Sequence, residues 1–166
     1  MNEHVEVLVE VKPNGAMKAL KVLLWFVCGV SFVAAFLGLF YVIAPLAVAM
    51  ASGVGAYFVG LRVNTEYEYT LTDKDLDVDV IFSKERRKHI MSLDLNKLEV
   101  AAPEGSYHLD EYKNRDCKTY DYSSKIAENG KKLLVMYIDG TRYLFEPDEE
   151  LKNALYNVSP RKVFKD

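Results

Sequence analysis

The segment YEYTLTDKDLDVDVIFSKERRKHIMSLDL, residues 67–95, decides the architecture of this 166-residue chain. Apolar and polar side chains alternate along it, which is typical of strands with one buried face. Two turns interrupt the alternation, one at Asp73-Lys74-Asp75 and one in the basic stretch SKERRK, residues 83–88. The segment therefore predicts three short consecutive strands, at residues 65–72, 76–82 and 88–95.

Further strands and a closing helix are predicted downstream. Strands are expected at 97–102, around Tyr120 and Tyr122, at 133–138 and at 141–146, with turns at Asn129-Gly130 and Asp139-Gly140. Asp-Gly is a strong signal for a two-residue hairpin. After Pro147, one helix face is formed by Leu151, Ala154, Leu155 and Val158. Seven short antiparallel strands, split four plus three, predict a bent sandwich or partly open barrel capped by the C-terminal helix.

The N-terminus carries a strand of its own. Residues 4–12, HVEVLVEVK, alternate strictly and end at the turn residues Pro13-Asn14-Gly15. Because an isolated strand is not stable, we expect it to join the edge of a sheet, either in the same chain or in another copy.

Forty consecutive residues, Val22 to Leu61, contain no Lys, Arg, Asp, Glu or His. One bilayer span needs roughly 20 apolar residues, so the stretch predicts a transmembrane helical hairpin. We expect helices at Ala19–Val42 and Leu46–Arg62, with the bend near Ile43-Ala44-Pro45. A cleaved signal peptide, with its shorter apolar region of about 7–15 residues, and a soluble buried hairpin are the competing interpretations.

The predicted organisation is an N-terminal strand and turn at 1–16, a two-helix hairpin at 17–63 and a cytoplasmic domain at 64–166. Positive charges flank the hairpin at Lys12, Lys18, Lys21 and Arg62, whereas the bend carries none. The positive-inside bias then places a multi-pass protein in the cell membrane with both termini in the cytoplasm.

Small residues recur at four-residue spacing in the second helix, at Ala47, Ala51 and Gly55, and separately at Ala56 and Gly60. This spacing lets helix backbones approach closely in lipid. It is predicted to pack the two helices of one chain, and the alternative is self-association into a homo-oligomer.

Several functional classes find no support in the composition. Residues 64–166 carry 17 basic and 21 acidic groups, a net charge of −4, which is not a nucleic-acid-binding balance. The acidic run DKDLDVDV, residues 73–80, lacks the Gly and Glu that a calcium loop needs at its sixth and twelfth positions. Cys28 and Cys117 lie in different solvents, and no nucleophile, phosphate loop or metal spacing is visible. We therefore expect no enzyme, no metal and no cofactor.

The order of elements resembles a pleckstrin-homology-like (PH-like) domain. A Tyr-x-Leu-Thr first strand just after a two-helix anchor resembles bacterial PH-like membrane proteins. The segment 67–104 is similar to a family of small, uncharacterised Gram-positive bacterial membrane proteins. The resemblance implies a PH-like module on a two-helix anchor, and it implies no activity.

The basic turn is the strongest candidate for a binding site, with Lys84, Arg86, Arg87 and Lys88 within five positions. It should return towards the anchor, because the first strand starts there. In a PH-like topology the C-terminal helix would bring Arg161, Lys162 and Lys165 to the same side. These residues are predicted to bind anionic lipid head groups or a protein partner, and the plain alternative is a solubilising turn.

The predicted function is a membrane-anchored, non-catalytic interaction module that binds a protein partner, anionic lipid, or both. The alternative is a subunit of an oligomeric membrane or transport complex, assembled through the transmembrane hairpin.

Overall fold

The computed structural model describes residues 4–38, 42–125 and 133–165. The chain divides into two compact units: a helical unit of Pro13–Thr65 with Phe82–Glu85, and a sheet unit that holds the rest. The elements are β1 His4–Glu10, α1 Gly15–Phe36, α2 Ile43–Val63, β2 Thr65–Thr72, β3 Asp75–Phe82, β4 Arg86–Asp94, β5 Leu98–Pro103, β6 Thr119–Asp121, β7 Leu134–Ile138, β8 Thr141–Phe145 and α3 Glu149–Val158.

Over the described residues, two four-stranded sheets form the sheet unit, in the orders β1-β2-β3-β4 and β5-β7-β8-β6. The N-terminal strand joins the first sheet of its own chain, which was one of the two predicted possibilities. β1 is antiparallel to β2, with His4 opposite Thr72 and Glu10 opposite Glu66. The predicted Asp139-Gly140 hairpin is also confirmed, with both residues at positive φ. The turn predicted at 129–130 lies outside the described residues.

Two topological expectations were wrong. The split is four plus four: the strand predicted at 97–102, observed as β5, belongs to the second sheet, and β1 completes the first. A 3₁₀ turn at Leu95–Lys97 redirects the chain between the sheets. The Asp94 carboxylate accepts the backbone N–H of Asn96 at 2.8 Å, and this bond lowers the pKa of Asp94. In addition, β6 runs parallel to β8 rather than antiparallel.

Aromatic side chains dominate one region of the sheet-unit core. The Tyr69 side chain is fully buried and packs edge-on against Phe145, with ring centroids 5.2 Å apart. Its hydroxyl donates to the backbone carbonyl of Tyr122, so the buried polar group is satisfied. Burial raises the pKa of Tyr69 and raises the pKa of Tyr122 to about 12.

The second sheet is covered on both faces. The residues 103–115, predicted as an irregular loop, supply Leu109 and Tyr112 to a cluster against Val135 and Tyr137. The outer edge of β5 is closed by the C-terminal segment: the Ala101 N–H donates to the Lys162 carbonyl at 2.7 Å, and the Phe164 N–H donates to the Ala101 carbonyl at 2.8 Å.

The closing helix α3 follows its prediction. Asp148 caps it by accepting the Leu151 N–H at 2.8 Å, as an acidic N-cap should. Leu151, Ala154 and Leu155 are buried in the core, with Val158 packed against them.

The helical unit contains two helices that are long and apolar enough to cross a membrane. The bend differs from its predicted place, because α1 ends at Phe36 and is followed by Gly38 at φ +67°. Pro45 lies in the first turn of α2, where proline is tolerated because the turn's N–H groups have no intrahelical partner.

Helix α2 packs against α1 through one of its two predicted small-residue sets, Ala56 and Gly60. Its buried side chains include Ala49, Ser52 and Ala56, which recur at the spacing of one helix face. A Cβ added at Gly60 would lie 3.4 Å from the Lys21 Cε of α1, and one at Gly55 would lie 3.7 Å from Leu24. Ala47 and Ala51 are exposed, so only Gly55 of the predicted trio faces α1.

Candidate functional site: the charged edge of the first sheet

The turn between β3 and β4 is held by the end of α2. Ser83 donates its backbone N–H to the Asn64 carbonyl at 2.6 Å. Its hydroxyl lies 3.3 Å from the carbonyl oxygens of Gly60 and Leu61. Carbonyls in the last turn of a helix lack intrahelical partners, so one serine serves several of them. The first residues of the basic turn, Ser83 to Glu85, are thereby fixed at the C-terminal end of α2, inside the helical unit.

The turn is tight and uses an uncommon backbone conformation. Ser83 and Lys84 have φ of 50° and 60°, and the Glu85 N–H donates to the Phe82 carbonyl at 3.1 Å. Positive φ at both central residues is the signature of a type I′ hairpin, which favours Asn and Gly. Here the two positions are occupied by Ser83, which forms hydrogen bonds to the end of α2, and by Lys84.

The three cations at the start of β4 have different surroundings. Arg87 makes an ion pair with Glu68, and its Nε lies 3.3 Å from an Asp79 oxygen. Glu68 is only 5% exposed, although its alternation predicted a solvent-facing side chain. Arg86 and Lys88 are exposed and form no ion pair among the described residues. Arg87 is therefore committed to the sheet, while its two neighbours face solvent.

A hydrogen-bonded chain of side chains continues along the same face. His89 Nδ1 lies 2.7 Å from Asp79, and His89 Nε2 lies 3.3 Å from the Ser92 hydroxyl. The connectivity is that of a Ser-His-Asp arrangement. However, the hydroxyl donates its one hydrogen to Asp77, whereas an acyl-transfer serine must give it to the histidine. We assign these bonds to cross-linking β3 and β4.

The C-terminal cations do not join the basic turn. Lys162 Nζ lies 3.4 Å from the Asn96 carbonyl, and the Asn96 side chain accepts from Lys74 in the β2–β3 turn. Strand β3 runs from the β2–β3 turn to the β3–β4 turn. At roughly 3.4 Å per residue it separates the two turns by about 24 Å. Lys162 and its neighbour Arg161 therefore lie at the opposite end of the sheet from Arg86, which corrects the expectation of one shared basic surface.

β1 and β4 form the two edges of the first sheet. Over the described residues, neither strand has a backbone partner on its outer side. β4 is nine residues long, and its first five residues are all exposed. Sequence reasoning found its charges, but it missed the edge position, which depends on pairing between distant strands, and it missed Ser83.

A family model described as "Bacterial PH-like domain (DUF6106)" matches residues 1–165. No curated protein and no solved structure matches the chain. The match spans both helices, both sheets and α3. The chain belongs to the bacterial PH-like domain family DUF6106.

Proposed function

We propose that the protein is a membrane-anchored, non-catalytic interaction module. The helical unit lies in the cell membrane with both termini in the cytoplasm. The PH-like domain is presented at the cytoplasmic face, where it binds a protein partner, anionic lipid, or both.

The dimensions and surface of the two helices support the anchor. Helices of 22 and 21 residues are about 33 and 32 Å long, close to the thickness of a bilayer core. Large apolar side chains cover the outside of α1, among them Trp25 at 58% and Phe26 at 69% exposure. Apolar surface of this extent is unfavourable in water and favourable in lipid.

The pairing of β1 with β2 supports the orientation. β1 precedes α1 and β2 follows α2, and the two strands are neighbours in one sheet. A chain that crosses a membrane between two paired strands has to return to the side from which it left. With Lys18 and Lys21 at the start of α1 and Arg62 at the end of α2, the positive-inside rule makes that side the cytoplasm.

The single observation that carries the lipid contact is the set of Ser83 bonds to the end of α2. They fix Lys84 within the helical unit, at the end that carries Lys21 and Arg62. The inner leaflet contributes about 1 kcal/mol for each nearby Lys or Arg. These cations, with Arg86 next along the chain, would orient a domain that the helices already tether. Arg161 and Lys162 are not part of this contact.

The lipid contact is tested on the full chain in vesicles. A Cys28→Ala, Cys117→Ala background carries a fluorophore at Glu85→Cys or, as a control, at Glu111→Cys in the exposed loop. Lipid-borne quenchers at head-group depth should quench position 85 more than position 111. Phosphatidylglycerol should increase the difference, and salt should reduce it. Equal quenching at both positions would contradict the contact.

The alternative is a subunit of an oligomeric membrane or transport complex. It is favoured by the exposure of Ala47 and Ala51, because small residues that do not face α1 remain available to a helix of another chain.

A further inference from the structure

The end of the helical pair where α1 stops and α2 starts, which we call the tip, is apolar. It is formed by Phe36, Leu37, Val42 and Ile43, and the connection at residues 37–42 contains no charged side chain. Phe36 is 86% and Ile43 is 82% exposed, the highest values among the large apolar side chains of the described residues. Exposed apolar surface of this kind is unfavourable in water, so the tip requires an apolar environment.

The opposite end of the helical pair is polar. The Asn14 side chain caps α1 by accepting the Ala16 N–H at 3.0 Å, and Ser83 bonds the last turn of α2. At the tip, by contrast, α2 begins without a side-chain hydrogen bond among the described residues, and the Leu37 N–H donates to the Val33 carbonyl at 3.0 Å. Backbone groups that are bonded within the chain do not depend on water. The pair is therefore adapted to water at its opposite end and to lipid at its tip.

Lys21 limits the depth to which the pair can enter a bilayer core. Its Nζ lies 3.5 Å from the position of a Cβ added at Gly60, so its charge is level with that residue of α2. Ile43 lies seventeen residues before Gly60 in the same helix, which is about 26 Å at roughly 1.5 Å per residue. A charge inside the hydrocarbon core is costly, and the core is about 30 Å thick. With the ammonium at the inner boundary of the core, α2 begins about 4 Å short of the outer boundary, and any tilt shortens its reach further.

We propose that the tip ends within the outer leaflet of the membrane, against lipid acyl chains close to their head groups, so that the hairpin offers no surface to the outside of the cell. The proposal rests on the proposed membrane anchor and its orientation. The head-group layer adds roughly 6 Å beyond the core, which separates the tip from the external water. A protein partner must then approach from the cytoplasm or within the plane of the membrane.

Tryptophan fluorescence of the full chain in vesicles measures the depth of the tip. Trp25 is the single tryptophan, so Trp25→Phe provides a background in which Phe36→Trp reports from the tip alone. Brominated lipids quench tryptophans that lie at the depth of the bromine, and iodide quenches those in water. Bromine near the head groups should quench Phe36→Trp at least about twice as strongly as bromine at the chain ends, which lie about 15 Å from the core boundary. Iodide on both sides of the membrane should have little effect.

Two further variants in the same background complete the measurement. Ile43→Trp reports from the other helix and should show the same quenching pattern, which guards against a displacement of α1 by the first substitution. Tyr107→Trp is the control, because this position is exposed in the sheet unit. Iodide should quench it, and brominated lipids should not.

Two results would overturn the proposal. Strong iodide quenching of Phe36→Trp and Ile43→Trp, equal to that of Tyr107→Trp, would show that the tip emerges into water. Stronger quenching of the tip variants by bromine at the chain ends than by bromine near the head groups would place the tip at the centre of the bilayer.

The proposed function fails in a different way. Quenching of Trp25 in the unaltered chain by brominated lipid, together with iodide quenching of Phe36→Trp, would remove the buried tip and leave the anchor intact. Quenching of both tryptophans by iodide, and of neither by lipid, would contradict the anchor itself. Modification of lysines near the C-terminus of intact cells by an impermeant reagent would instead contradict the proposed orientation.

Discussion

Arg87 lies against Glu68 on the solvent face of the first sheet, and the Glu68 residue that it covers is 5% exposed. A half-exposed arginine thus shields a buried acid. We expect Arg87→Ala to lower the free energy of unfolding by about 1–3 kcal/mol, because it leaves the Glu68 carboxylate buried without its partner. Chemical denaturation of the full chain in detergent measures the change.

Arg86→Ala is the matched control, since it removes the neighbouring exposed arginine and should change stability by less than about 0.5 kcal/mol. Glu68→Gln added to Arg87→Ala should recover part of the loss. Equal effects of the two alanine variants would show that the Glu68 pair contributes nothing.

The buried tyrosines predict a loss of stability in alkali. Burial raises the folded-state pKa of Tyr69 and Tyr122 above the ordinary value of 10.0, for Tyr122 to about 12. Above pH 10 the unfolded chain loses these protons first, so the free energy of unfolding should fall as pH rises from about 10 to 12. Denaturation midpoints at pH 8, 10 and 11 measure the decline.

Tyr122→Phe should flatten this pH dependence, whereas Tyr120→Phe, at a position that is 41% exposed, should not. Tyr69→Phe removes the donor to the Tyr122 carbonyl and should cost about 1–2 kcal/mol at pH 8. If the free energy of unfolding declines with pH to the same extent in all the variants, other groups are responsible for the decline.

The positive φ of Lys84 predicts an unusual preference in the β3–β4 turn. Lys84→Gly should be more stable than Lys84→Ala by about 1 kcal/mol, because glycine adopts this conformation without steric cost. Glu85 does not have a positive φ. At this position Glu85→Ala should be the more stable variant, because glycine loses more conformational entropy on folding. Thermal unfolding of the four variants provides the comparison.

Opposite faces of α2 should respond differently to enlargement. Ala56 is fully buried, so Ala56→Leu should force α1 and α2 apart and destabilise the pair by about 1–3 kcal/mol. Ala47→Leu with Ala51→Leu adds volume at exposed positions and should leave the pair intact.

The same exposed variant tests the oligomeric alternative. If Ala47 and Ala51 contact another subunit, their enlargement should abolish a complex on native gels without detergent and leave the fold unchanged. A complex that survives this change would remove the alternative.

Much of the fold follows from local pattern. Alternation located β2, β3 and β4, a short apolar run ended by Asp139-Gly140 located β7, and the spacing of Leu151, Ala154 and Leu155 located the closing helix. These patterns depend on neighbouring residues alone. The absence of charge between Val22 and Leu61 predicted the helical pair for the same reason.

What the sequence did not reveal depends on distant pairings. Nothing near Leu98 indicates that β5 leaves the first sheet for the second, and nothing near Thr119 indicates a parallel partner. Of the two small-residue sets predicted in α2, Ala56 and Gly60 lie against α1, whereas Ala47 and Ala51 are exposed. Both sets of small residues fit a helix interface, and only the rotation of α2 distinguishes them.

The partnership of β1 with β2 has a consequence for the order of assembly. Its outermost pair, His4 and Thr72, joins residues 68 positions apart, and closing a loop of this length is costly for a free chain. If α1 and α2 insert into the bilayer as a pair, they bring β1 and β2 close together before the sheet forms. β1, although it is synthesised before α1 and α2, would then dock onto β2 only after the helices have inserted.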